Sequence, residues 1–200
     1  MRIQQATVGD VAAAANTLAL AFATDPVWGR TLARPDGSTE HLRPFWSIWL
    51  RGALSYGGLW IAPDAAAIAT WIPPEGVELP GDLEAEMFAL TEAALPSSSF
   101  VALQELWSRF DANHPHDESH AYLSLLATNP AQAGHGLGQQ LLAATLREWD
   151  ERGIPTYLES TNVANNHRYE RAGFRAIGGF EAPLGGARVT TMWRDAAPAA

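Results

Sequence analysis

Glycines alternate at Gly134, Gly136 and Gly138, directly after an apolar run at residues 121–127 that Asn129 and Pro130 bring to a stop. The run is too short for a comfortable helix and reads as a buried strand. Beyond the glycines, Leu137, Leu141, Leu142, Leu146 and Trp149 recur at helical spacing, so a helix begins at or inside the glycine run. Glycines let backbone N–H groups approach a ligand without Cβ interference. The unpaired N–H groups of a helix's first turn, at the positive end of its dipole, favour a phosphate. The segment is therefore a candidate pyrophosphate cradle.

Spacing narrows the ligand. A P-loop needs Gly-Lys-Ser/Thr, but Gly138 is followed by Gln139 and Gln140, and the chain has no lysine. A dinucleotide fingerprint needs Gly-x-Gly-x-x-Gly; from Gly134 the last place holds Gln139, and from Gly136 it holds Leu141. Only Glu159, a little over ~20 residues on, imitates the ribose-binding acid of that motif. A glycine turn that binds nothing is the remaining alternative.

Residues 130–142 resemble the acyl-CoA signature of the GNAT superfamily of N-acetyltransferases, Gln/Arg-x-x-Gly-x-Gly/Ala after a strand, with Gly136 and Gly138 in the two small positions. Ala133 departs from the usual Gln or Arg; that position is read mostly through its backbone N–H, so the resemblance implies weaker positioning of the ligand and not lost binding. A second signature follows in the matching order and separation: Asn162, then seven positions later Tyr169 in Tyr-Glu-Arg-Ala-Gly-Phe. Within the superfamily the chain is most similar to puromycin N-acetyltransferase-like proteins, through segments such as Leu59-Trp60-Ile61-Ala62, Ala69-Thr70-Trp71 and Tyr157-Leu158-Glu159.

The resemblance implies an α/β (α+β) GNAT fold, a mixed central sheet of about six to seven strands flanked by helices. It implies acetyl-CoA as co-substrate, without a metal, and acetyl transfer to the primary amine of a small molecule, an aminoacyl-type antibiotic among the candidates. Ala133, Gly134, His135, Gly136, Leu137, Gly138 and Gln139 would hold the pyrophosphate. Backbone groups of Leu126, Ala127 and Thr128 would bind the pantetheine arm like an added strand and offer an N–H to the thioester oxygen. Asn162 would contact that arm or order its loop. Tyr169 takes the general-acid place, since a phenol with a pKa of about 10 keeps its proton at neutral pH. For the base, Glu159 at a strand end beside the cleft comes first and His120 second; Asp25 is a third candidate and also suits a loop cap. Asp25, Trp28, Trp46 and Glu159 are the acceptor-binding candidates. Phe45 and Trp49 belong to the same aromatic set, although aromatics at helical spacing more often form core.

Composition narrows the chemistry further. With 200 residues and 47% hydrophobic content, one domain over residues 1–194 and a disordered tail at 195–200 are expected. Cysteine is absent and all 13 basic residues are arginine, which removes thiol and Schiff-base intermediates. A net charge of -9 argues against nucleic acid and anionic membrane as partners and favours a cationic acceptor. The apolar stretch at residues 11–22 is too short to span a bilayer, so a cytoplasmic monomer or homodimer is expected. His114, His116 and His120, with Asp117 and Glu118 between them, invite a metal reading. It is set aside, because His-x-His alone defines no ligand geometry and such loops are usually solvated. The rival functions are a non-catalytic acyl-CoA-binding sensor or partner subunit, and a protein or peptide acetyltransferase.

Several elements must position these residues. Residues 2–7 read as a strand, and Thr7 with Asp10 opens a helix over 8–23. Leu42, Phe45, Trp46, Trp49, Leu50 and Leu54 mark a second helix. A hairpin follows at 59–62 and 66–72, then helical patterns at 82–95 and 100–110 flanking a break at 96–99. A strand at 156–159, a short helix at 162–171 and a closing antiparallel pair at 174–180 and 187–194 complete the chain.

Overall fold

The computed structural model describes residues 2–197. A short strand β1 (Gln4–Gln5) leads through a 3-10 turn into α1 (Val11–Phe22). There the Asp10 carboxylate accepts from both the N–H and the hydroxyl of Thr7, each at 2.8 Å. Asp25 ends that run and starts a helix α2 (Trp28–Thr31), its Oδ1 accepting from the N–H groups of Val27 and Trp28 at 2.9 and 3.0 Å. Four residues carry no readable periodicity, so α2 is invisible to pattern reading. Helix α3 (Leu42–Ser55) turns Phe45, Trp46, Trp49 and Leu50 inward.

The described chain continues through β2 (Leu59–Ile61), β3 (Ala67–Ile72), α4 (Asp82–Ala94), α5 (Ser97–Asn113), β4 (Ala121–Thr128), α6 (Leu137–Glu151), β5 (Thr156–Ser160), α7 (Asn166–Arg171), β6 (Arg175–Glu181) and β7 (Arg188–Arg194). Serines 97–99 form the first turn of α5 and not a break, with Pro96 at φ -54° and ψ 145° just before it. The seven strands make one mixed sheet in the order β1-β2-β3-β4-β5-β7-β6. Only β4 and β5 run parallel. Apolar layers cover both faces: Leu18, Phe45, Trp46, Leu103 and Leu106 in one, Trp71, Leu141, Leu142, Leu146 and Met192 in the other. Burial on both sides explains why the central strands read as apolar runs.

Strand β4 is irregular in two ways that create the site. Its register with β3 slips between Thr70 and Trp71, leaving Ser124 without a partner. The bulge reverses the face on which the buried side chains lie: Ala121 and Leu123 pack in the α6 layer, whereas Leu125 and Ala127 pack in the layer of α1 and α3. On its other edge β4 pairs with β5 only through Ala121, Tyr122 and Leu123. Beyond them the two strands part, and residues 124–128 border a gap.

Among the described residues no helix is long and apolar enough to cross a membrane. Of the expected tail, residues 195–197 carry no regular structure, and the Ala197 N–H donates to Asp150 Oδ1 at 2.8 Å. Residues 198–200 lie outside the described residues.

Candidate active site

Helix α6 starts from Gly136 at φ 73°, with Gly134 at φ 85° just before it. Both are left-handed conformations that residues with a Cβ avoid. No backbone N–H from Gly134 to Gln139 has a partner among the described residues; the first bond back is from the Gln140 N–H to the Gly136 carbonyl at 3.0 Å. Ala133, Gly134, His135 and Gly136 are exposed and no acidic side chain lies in the segment. Leu137, Gly138 and Gln139 form the half-buried first turn of the helix. A Cβ on Gly138 would lie 2.8 Å from Thr128 Oγ1, so glycine is what lets the helix close on β4. A run of unpaired N–H donors at a helix start fits a pyrophosphate.

The β4 edge narrows the expectation for the pantetheine arm. The Asn129 N–H donates to the Ala66 carbonyl at 2.9 Å. Strand alternation then directs the backbone groups of Ala127 to β3, and those of Leu126 and Thr128 into the gap. Ala127 is thus withdrawn from the expected contact set: its backbone faces its neighbour strand and its side chain is buried.

A cavity of about 1190 Å³ opens where β4 and β5 part. Trp28, Trp49, Met87, Phe88, Trp107 and Phe110 supply its apolar wall. Trp46 does not reach it. Only 1% exposed, Trp46 packs its ring against Phe22, Trp28 and Phe45 at centroid distances of 4.8, 5.5 and 4.8 Å. The α3 stripe therefore gives core at Phe45 and Trp46, and cavity wall at Trp49.

The acidic groups of the cavity are one-sided. Glu75, Glu84, Asp111 and Glu118 are exposed at its rim, Asp25 and Glu159 lie within beside Glu78, a carboxyl that burial holds well above the usual carboxylate range, and no arginine among the described residues lines it. Asp25 is both a cap and a wall residue, its Oδ2 accepting from Thr161 Oγ1 at 2.8 Å. Asn162 orders its loop, its Oδ1 accepting from the Ala164 N–H at 3.1 Å. Tyr169 on α7 is half-buried beside them. Burial, and after it the charge of Asp25, pushes its phenol up to about 12, so it reaches neutral pH protonated.

Glu159 sits on β5 with its side chain 2% exposed, and neither carboxylate oxygen has a hydrogen-bond partner. His114 Nδ1 lies 3.5 Å from Oε1, beyond a good hydrogen bond. The phenols of Tyr122 and Tyr157 face the same carboxylate, and both are raised first by burial and then by its charge. His120 stands immediately before β4 and is 8% exposed. Its Nδ1 is 2.7 Å from the Glu118 carbonyl and its Nε2 is 3.1 Å from His114 Nε2. Desolvation, the leading effect, lowers its pKa. The loop between α5 and β4 thus differs from the solvated segment expected: it folds His114 and His120 onto Tyr122, Tyr157 and Trp193.

Two residues of this cluster escaped sequence reasoning. Glu78 lies in the irregular loop between β3 and α4, bonds the Ser124 hydroxyl at the bulge, and is pushed up to about 8, chiefly by burial. Its backbone is seated on α3, where a Cβ on Gly52 would come 1.8 Å from the Glu78 carbonyl oxygen. His114 was visible only as one of three histidines in a polar stretch. Its partner Glu159 is remote in sequence, and no local pattern links the two.

Residues 82–174, which hold β4, the glycine turn, α6, β5 and Tyr169, match the model of the Acetyltransferase (GNAT) family. A stretch of 121 residues is 32% identical to the mycothiol acetyltransferase of Clavibacter sepedonicus; it covers 58% of this chain and 38% of that protein. The chain thus spans well under half the length of that curated relative. A structure described as histone acetyltransferase HPA2 and related acetyltransferase from Corynebacterium glutamicum superposes with a TM-score of 0.72 at 23% identity, over 98% of this chain and 97% of that one. Drosophila melanogaster polyamine N-acetyltransferase, which catalyses the formation of N-acetylagmatine, gives a TM-score of 0.64 at 15% identity, over 97% and 99%. The fold is the GNAT fold, a mixed α/β architecture with a seven-stranded sheet flanked by helices. The matched segment is that of an acetyltransferase family.

Proposed function

We propose that this protein, a GNAT-fold chain whose residues 82–174 match that family, transfers the acetyl group of acetyl-CoA to the primary amine of a small cationic molecule by direct attack in a ternary complex. One observation carries the acceptor class: the cavity at the parting of β4 and β5 is walled by aromatic side chains and carboxylates with no arginine among them. A cation over aromatic faces, with carboxylates nearby, is held by charge and by ring quadrupoles together.

The chain's own residues supply the remaining functions. The Gly134 to Gln139 amides bind the pyrophosphate, and the free groups of Leu126 and Thr128 pair with the amide-bearing arm, as an edge strand pairs with a peptide. This brings the thioester to the bulge at Ser124. The amine nitrogen attacks the carbonyl carbon, the C–S bond breaks, and the Tyr169 phenol donates its proton to the departing thiolate. The sequence resemblance to puromycin N-acetyltransferase-like proteins suggests aminoacyl-type antibiotic amines as candidates, and the likeness of fold to a polyamine acetyltransferase suggests agmatine.

The test is CoA release from acetyl-CoA with a panel holding agmatine, 2-phenylethylamine and puromycin. Turnover with a small amine supports the proposal and names the acceptor. Turnover only on peptides would move the activity to the protein acetyltransferases. Silence with measurable acetyl-CoA binding would leave a non-catalytic acyl-CoA-binding module.

A further inference from the structure

The contacts that run from the Glu118 carbonyl through His120 to His114 limit the tautomer each ring can hold when it is neutral. The Glu118 carbonyl can only accept, so His120 Nδ1, 2.7 Å away, carries a proton. A neutral His120 then has a bare Nε2, and the His114 Nε2 at 3.1 Å must donate to it. In its neutral form His114 carries one proton, and with that proton on Nε2 its Nδ1 is the bare nitrogen. It faces Glu159 Oε1 at 3.5 Å, the carboxyl group that the Tyr122 and Tyr157 phenols also face. The opposite assignment, with a proton on His114 Nδ1, would set the bare Nδ1 of a neutral His120 against a carbonyl at 2.7 Å.

We propose that His114 is the catalytic base of this site: the bare Nδ1 of the neutral ring, which lies beside Glu159, takes the proton of the acceptor's ammonium group, and His120 is the positioning residue that holds the neutral His114 in the required tautomer. The proposal rests on the acyl-transfer reading above. His114 lines the cavity and its side chain is 26% exposed, so a ligand can reach it. The groups that face it are Tyr122 on β4, Tyr157 and Glu159 on β5, and His116 and His120 on its loop. Glu159 is the one carboxylate among them, and it would sit against the imidazolium that forms. The step balances. The ammonium gives one proton to His114 Nδ1, and the neutral amine forms the N–C bond as the C–S bond breaks. The second amine proton replaces the one that Tyr169 gives to sulfur. His114 then releases its proton to solvent, the one proton the reaction liberates.

Two measurements test this on the full chain. The first is 15N NMR of the histidine rings at pH 8. The neutral Nδ1–H form for His120 and the neutral Nε2–H form for His114 are expected; an Nδ1–H neutral His114 would overturn the proposal. The second is kcat/KM for 2-phenylethylamine or agmatine between pH 6.5 and 9.5. His114→Gln is expected to lose at least 100-fold at pH 7, with the deficit shrinking as pH approaches the amine's own pKa and solution supplies free amine. His120→Phe is expected to lose less and to shift His114 toward the Nδ1–H form. A His114→Gln enzyme within threefold of wild type throughout, or with a pH-independent deficit, would reject His114 as the base while leaving acetyl transfer intact. Absence of CoA release with any amine would remove the acyl-transfer reading instead, and the ring spectra would still decide the proton positions.

Discussion

Tyr169 and Glu78 show opposite relations between a residue and its legibility. Tyr169 stands in a local motif, so its candidacy could be read from the chain. Its environment, with Asp25 close by and the phenol pushed up to about 12, could not. Tyr169→Phe should cut turnover at least tenfold, about 1.4 kcal/mol of transition-state stabilisation, with acetyl-CoA affinity unchanged in a binding titration. Glu78 has no motif, and only folding brings it to Ser124. Its carboxyl rises from the ordinary 4.5 to about 8. The folded state therefore keeps a proton that the unfolded chain loses, and the stability this gives is full below about 4.5 and disappears as pH rises through about 8. Glutamine cannot lose that proton. The melting-temperature advantage of Glu78→Gln over wild type should grow from pH 5 to pH 8, by at most about 1.4 kcal/mol per pH unit, each kcal/mol being worth roughly 2–4 °C in a chain of this size. A constant difference across that range would contradict a buried protonated carboxyl.

At the scale of elements, helical and strand periods located nearly every segment, because both apolar layers are large and continuous. Where strand and helix meet, the pattern was silent. The alternation along β4 gives no sign that the bulge at Ser124 moves Leu125 and Ala127 to the opposite face, since a bulge adds a residue without changing the apolar count. The glycine turn was legible as the start of a helix, but not the closeness of Gly138 to Thr128. In Gly138→Ala the new Cβ would meet Thr128 Oγ1 at 2.8 Å. The acetyl-CoA KM should rise roughly tenfold, about 1.4 kcal/mol, with the acceptor KM unchanged. Adding Thr128→Ala removes the colliding oxygen and should restore most of the loss, which a double-mutant cycle would register as coupling. Equal losses in the single and double variants would mean that the approach of helix to strand does not limit binding.

At the scale of the whole molecule, composition gives the charge only in sum. The net charge of -9 does not reveal that acids line the cavity while arginines stay out of it. The sheet itself has a further property. Its two leaves, β1 to β4 and β5 to β6, are sewn together by just the Ala121, Tyr122 and Leu123 pairs. A pantetheine arm lying along Leu126 and Thr128 would act as a missing stitch. Amide hydrogen exchange should slow on β5 and β7 as well as on β4 when acetyl-CoA binds, and protection confined to residues 126–139 would deny the effect. A ligand that completes a seam also raises the melting point with its concentration. The lifetime of this protein in a cell would then follow the acetyl-CoA supply, making it most durable when its substrate is abundant and most readily cleared in starvation.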